Sequence, residues 1–103
     1  MAIDWFQTLQ DEDAKSLEVF ERLKVMVSDE AAPLMLASDT YREVELAAQA
    51  FDRIVCRMED DAANDDILKA ADMLQDRWAK LATLAVNVLR QRQGKSTIAF
   101  PGT

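Results

Sequence analysis

The sequence predicts an all-α protein. We expect an antiparallel bundle of three main helices, over about 12–27, 40–58 and 65–93, with a short N-terminal helix and an extended C-terminal tail. Three observations carry this expectation. Apolar residues recur at helical spacing, side chains suited to capping stand at the segment ends, and only two glycines and two prolines interrupt a chain that is 50% hydrophobic. With 103 residues the chain makes one domain, expected over 1–94, with 95–103 as a flexible or docking tail.

The third helix is the strongest of the set. Ile67, Ala71, Leu74, Trp78, Leu81, Ala85 and Val88 are separated by alternating steps of four and three, which places all seven on one stripe. Asn64, Asp65 and Asp66 suit its start, and Gly94 suits the position just beyond its end. About 29 residues at 1.5 Å each make about 43 Å, whereas a round domain of this size has a diameter of about 34 Å. The helix therefore protrudes, kinks or lies along a second copy of the chain; with its charge layout, the working expectation is a homodimer whose interface includes Leu74, Trp78, Leu81, Ala85 and Val88.

The second helix reads from Thr40 and Glu43, a capping-box pair, through Val44, Ala47, Phe51, Ile54 and Met58. Before it, Pro33 turns the chain, so residues 28–38 are expected as a connection that exposes or buries Leu34, Met35 and Leu36. At the N-terminus, Asp4 and Gln7 form another capping pair. The acids Asp11, Glu12 and Asp13 break the stripe, which favours two helical pieces over one helix from 4 to 28. Leu17, Val19, Phe20, Leu23, Met26 and Val27 form a wide apolar face, expected to be buried. After Gly94, the alternation of Ile98, Ala99 and Phe100 predicts a non-helical tail that is disordered or docks its apolar side chains.

Composition excludes several functions. The chain has no histidine, so it lacks the commonest acid–base group and metal ligand, and two isolated glycines make no phosphate loop. Cys56 has no histidine to activate it and reads as a small hydrophobe. The acidic run 59–66 lacks the ligand spacing of a calcium loop. We therefore expect no catalytic residue, cofactor or metal. No apolar run approaches the ~20 residues of a membrane span, the N-terminus does not read as a secretion signal, and one cysteine fits a reducing cytoplasm.

Charge is unevenly spread. All 19 acidic residues lie at or before Asp76 beside seven basic ones, a balance of −12, while Arg77, Lys80, Arg90, Arg92 and Lys95 leave the remainder at +5. The sequence therefore supports a non-catalytic protein–protein interaction module, a small acidic adaptor, chaperone or regulatory subunit acting through apolar helix faces. Its candidate contacts are Trp5, Phe6, Leu34, Met35, Leu36, Ile98 and Phe100. The alternative is an acidic inhibitor of phage or plasmid type, such as an anti-defence protein, that blocks a nucleic-acid-binding surface by charge mimicry. Its surface would include Glu59, Asp60, Asp61, Asp65 and Asp66. Net acidity argues against direct nucleic-acid binding.

Overall fold

A computed structural model describes residues 4–29 and 31–101, and within them the chain is three helices with no strand. The helices are α1 (Trp5–Ser28), α2 (Leu34–Asp60) and α3 (Asp65–Arg92). They run up, down and up, so α1 and α3 are parallel and α2 opposes both. Both α1 and α2 pack along α3, and they meet each other more sparingly. The all-α bundle is as expected, whereas several boundaries are not.

The first correction concerns α1, which is one continuous helix rather than two pieces. Asp4 caps it by accepting the Gln7 amide at 3.0 Å, but Gln7 does not complete a capping box. Its side chain reaches forward instead, donating to Asp11 Oδ1 at 2.9 Å. Asp13 is held by Arg77 across the seam to α3. With the acids engaged as helix-surface side chains, none is needed as a second cap, and the helix runs through them.

The buried side of α1 is only in part the one expected: Val19, Leu23 and Met26 are buried, but Leu17, Phe20 and Val27 are not. Leu9, Ser16, Val19, Leu23 and Met26 are its buried residues, and Leu17, Phe20, Val25 and Val27 are exposed. From residue 9 the buried positions follow the three-and-four rhythm of a bundle helix, with polar Glu12 and Ser16 occupying its middle. Ser16 is tolerated there because its hydroxyl donates to the Asp13 carbonyl at 2.8 Å and accepts from Arg77 Nη1 at 3.0 Å.

The second correction concerns α2, which begins at Leu34, six residues before the expected start. Pro33 opens this helix: its missing N–H is harmless there, and its carbonyl accepts from Leu36 and Ala37 at 3.1 and 3.3 Å. Thr40 is consequently not a cap but a buried residue, continuing the stripe Ala37, Thr40, Val44, Phe51, Val55 and Met58. Glu43 belongs to a tertiary contact, forming two hydrogen bonds with Arg22 at 2.8 and 3.0 Å.

The ends of α3 match their sequence signals. Asn64 Oδ1 accepts from the Ile67 amide at 2.9 Å, and Gly94 takes φ +73° just past the helix. Lys95 N–H then reaches the Arg90 carbonyl at 2.8 Å and Gly94 N–H the Gln91 carbonyl at 3.1 Å, closing the helix end.

The molecule measures 48 × 25 × 17 Å with a radius of gyration of 15.2 Å. A round chain of this length has about 13 Å. The elongation resolves the length of α3. Its 28 residues lie alongside helices of 24 and 27, so its own chain covers it. Trp78, Phe51, Leu23, Met58, Val44 and Val88 are the largest fully buried side chains and form the middle of the core.

Candidate functional site

The seam between parallel α1 and α3 carries the candidate site. Two arginines of α3 hold it together. Arg77 joins Asp13 and Ser16 near its middle. Arg92 donates from Nη2 to the Met26 and Asp29 carbonyls, both at 2.6 Å. These are carbonyls at the end of α1, a helix with no basic residue in its last turn, so Arg92 supplies the cation that end lacks.

Between these clamps the two helices leave an apolar trough. Leu17 and Phe20 of α1 and Leu81 and Leu84 of α3 form its walls, Phe100 of the tail closes one side, and Arg77 and Lys80 stand with them. This section holds about 490 Å³ of open space. A second section continues past Leu84 and Phe100 to Val27, Val88 and Ile98, and a third extends beyond Arg77 to Phe6, Ile67 and Met73. The sections share lining residues, so the trough follows the seam for much of the bundle. Lys24 Nζ lies 5.6 Å from the Phe20 ring, which keeps a cation over this aromatic.

The trough exists because α1 bears more apolar residues than one helix partner can cover. With Val19, Leu23 and Met26 turned to the core, Leu17 and Phe20 remain outside it, 50% and 39% exposed. Both are expected in the core from their spacing, and nothing local singles out Leu84, Arg77 and Lys80 as their neighbours in the trough. The available signal was the conflict within residues 6–27. Two overlapping apolar stripes were present, and the less apolar one, interrupted by Glu12 and Ser16, is the one that packs.

The tail joins this site. Asn87, 7% exposed, accepts the Ile98 N–H at 2.8 Å through Oδ1 and donates from Nδ2 to the Ile98 carbonyl at 3.0 Å. Arg90 donates to the Ser96 carbonyl. Both backbone groups of Ile98 therefore face one side chain, as they face a neighbouring strand in an extended chain. Residues 102 and 103 of the expected tail lie outside the described residues.

The candidate contacts separate into three places. Phe6, Ile98 and Phe100 line the trough. Trp5 is partly buried against the core. Leu34, Met35 and Leu36 form the exposed first turn of α2, with Met35 at 75% exposure, and line none of the trough sections.

The proposed interface residues Leu74, Trp78, Leu81, Ala85 and Val88 are buried in the chain's own core. A second copy cannot reach them as a stripe without displacing α1 or α2. Sequence periodicity identifies a covered stripe but not which helix covers it, and here α1 and α2 of the same chain do.

Glu59, Asp60, Asp61, Asp65 and Asp66 are all exposed around the turn from α2 to α3. Because α1 and α3 are parallel, Asp4 and Asp11 lie towards the same end, producing an acidic pole. Among the described residues no group of three or more acids and cysteines is arranged to hold a metal ion. The basic residues of α3 are mostly committed internally: Arg77 and Arg92 as above, Lys80 to Asp76 at 3.0 Å, and Arg90 to the tail. Cys56 is exposed.

Perturbed titrations lie away from the trough. Hydrogen bonding to Arg22 lowers the Glu43 pKa and raises that of Arg22, and the hydrogen bond to Glu45 raises that of Tyr41. No helix among the described residues is long and apolar enough to cross a membrane. No protein-family model matches the chain, and no curated protein or solved structure is detectably similar to it.

Proposed function

We propose that this chain is a non-catalytic protein-interaction module whose α1/α3 trough receives an apolar segment of a partner protein. The trough itself carries the reading. It is an apolar cleft along a charged bundle, lined by Leu17, Phe20, Leu81 and Leu84, and its walls belong to rigid helices rather than loops. The tail adds support, because an apolar segment already rests along part of it. Small acidic adaptors, chaperones and regulatory subunits all fit this description. Homodimerisation loses the support that helix length lent it, and copies that pair would use exposed residues such as Leu46, Met35 or Met73.

The acidic pole favours a second reading, inhibition by charge mimicry of a nucleic-acid backbone. Exposed carboxylates at Glu59, Asp60, Asp61, Asp65 and Asp66 would be attracted to a basic channel.

One comparison separates the two readings. The tagged chain is set beside a Leu84→Asp variant and a variant carrying Glu59→Gln, Asp60→Asn, Asp61→Asn, Asp65→Asn and Asp66→Asn. Proteins captured from the native cell are then reconstituted in purified form. Trough binding is lost in Leu84→Asp, retained in the neutralised variant and little changed by salt. A partner lost only on neutralisation, and released as salt rises, overturns the trough reading in favour of mimicry.

A further inference from the structure

We infer that the C-terminal tail is a built-in occupant of the trough, and that the partner segment it stands in for binds as extended chain rather than as a helix. This rests on the interaction-module reading and names both the form of its ligand and a control on its access.

The grip on Ile98 is the principal observation. Asn87 interrupts an otherwise largely apolar run on α3, and it is nine-tenths buried. Its side-chain oxygen takes the Ile98 N–H and its side-chain nitrogen serves the Ile98 carbonyl, at 2.8 and 3.0 Å. An amide that satisfies both backbone groups of one residue reads main chain, not side chain. A helical ligand cannot offer this pair, because its N–H and carbonyl groups are engaged along its own axis and point in opposite directions.

The second observation is the position of Phe100. It lies two residues beyond Ile98, the spacing at which side chains of extended chain return to one side. It lines both the section holding Leu17, Phe20 and Leu81 and the section holding Val27 and Val88. The tail thus fills one stretch and leaves the rest open. The ligand it resembles is an extended segment with apolar residues at alternate positions, one of them aromatic. Such a segment competes with the tail for Asn87. If the tail leaves the site about one-tenth of the time, an external ligand binds about tenfold more weakly than it would to an empty trough.

The test needs no partner. A fluorescein-labelled peptide of residues 95–103 is titrated by anisotropy against the full chain and against the full chain carrying Ile98→Pro and Phe100→Ser, which removes the N–H that Asn87 accepts and the aromatic side chain together. Both substituted residues lie in the tail beyond α3, and far-ultraviolet circular dichroism of the double variant checks that the bundle is retained. The expected result is binding to the double variant about tenfold tighter than to the wild type. The same peptide N-methylated at the Ile98 amide keeps every side chain and loses the donor, so its binding to the double variant is expected to fall at least as far.

Equal affinity for the two proteins removes the competition. Binding that survives N-methylation removes the backbone grip, and absence of binding to both proteins removes the tail as a stand-in. Any of these overturns this inference while leaving the trough reading to the Leu84→Asp comparison, so the two failures are distinguishable.

Discussion

Single residues decide which side of α1 faces inward. Ser16 is the informative case: a hydroxyl at a fully buried position is costly unless paired, and Arg77 together with the Asp13 carbonyl supplies the pairing. Leu17, one step further on, then faces away from the core. Local sequence ranks Leu17 above Ser16 as a core residue, because the arginine that reverses the ranking is 61 residues away. Arg22 and Glu43 make a similar long-range connection, from α1 to α2, but on an exposed surface. Burial contributes little there, and a two-pronged exposed pair stabilises by about 0.5 kcal/mol. Because Arg22 holds the Glu43 carboxyl below its ordinary 4.5, this stabilisation is present above that pH and fades as pH falls through the lowered value. Glu43→Gln should therefore be less stable than wild type by about 0.5 kcal/mol near neutrality in urea titrations, with the gap closing in acid. A gap that stays constant well below 4.5 contradicts this assignment.

At the scale of elements, the helix ends show how far local chemistry reaches. Asp4, Asn64 and Gly94 are readable because each acts on residues within a turn or so of itself. Pro33 was readable as a break but not as a beginning, since both outcomes use the same missing N–H. The end of α2 is an exception of another sort. Ala62 adopts φ +55°, while Ala62 N–H reaches the Glu59 carbonyl at 3.1 Å and Ala63 N–H the Met58 carbonyl at 2.9 Å. That is the arrangement Gly94 serves at the end of α3, here made by a residue whose Cβ resists it. The two positions should respond with opposite signs. Ala62→Gly removes about 1–2 kcal/mol of backbone strain, partly offset by a freer unfolded chain, for a net gain of about 0.5 kcal/mol. Gly94→Ala should lose about 1 kcal/mol from the backbone alone, since no atom lies within 4 Å of the added Cβ. Thermal unfolding of the two variants checks both directions, and a matching sign would refute the shared cap geometry.

For the molecule as a whole, the stripe of α3 belongs inside a single chain. Leu81 is 3% exposed among core residues from the other helices, so Leu81→Asp buries a charge without a partner. Its cost, above about 4 kcal/mol, is a large share of the stability of a domain this size, about 5–15 kcal/mol. We expect this variant to lose its helical circular dichroism. Leu84→Asp, at a partly exposed trough position, should retain it. A folded Leu81→Asp variant with half the wild-type mass in light scattering would instead return the stripe to a subunit interface.

The chain by itself determined the helical class, the α3 stripe and most of the helix ends, because periodicity and capping act over a few residues. It also marked Phe6, Ile98 and Phe100 as apolar residues needing an explanation. The tertiary structure alone decided which stripe of α1 packs, that α3 is covered by its own chain, and that a trough remains between parallel helices. Those outcomes depend on Arg77, Asn87 and Arg92 meeting groups distant in sequence or beyond the helix end. A local pattern records that a side chain is apolar, but only the assembled fold determines whether anything covers it.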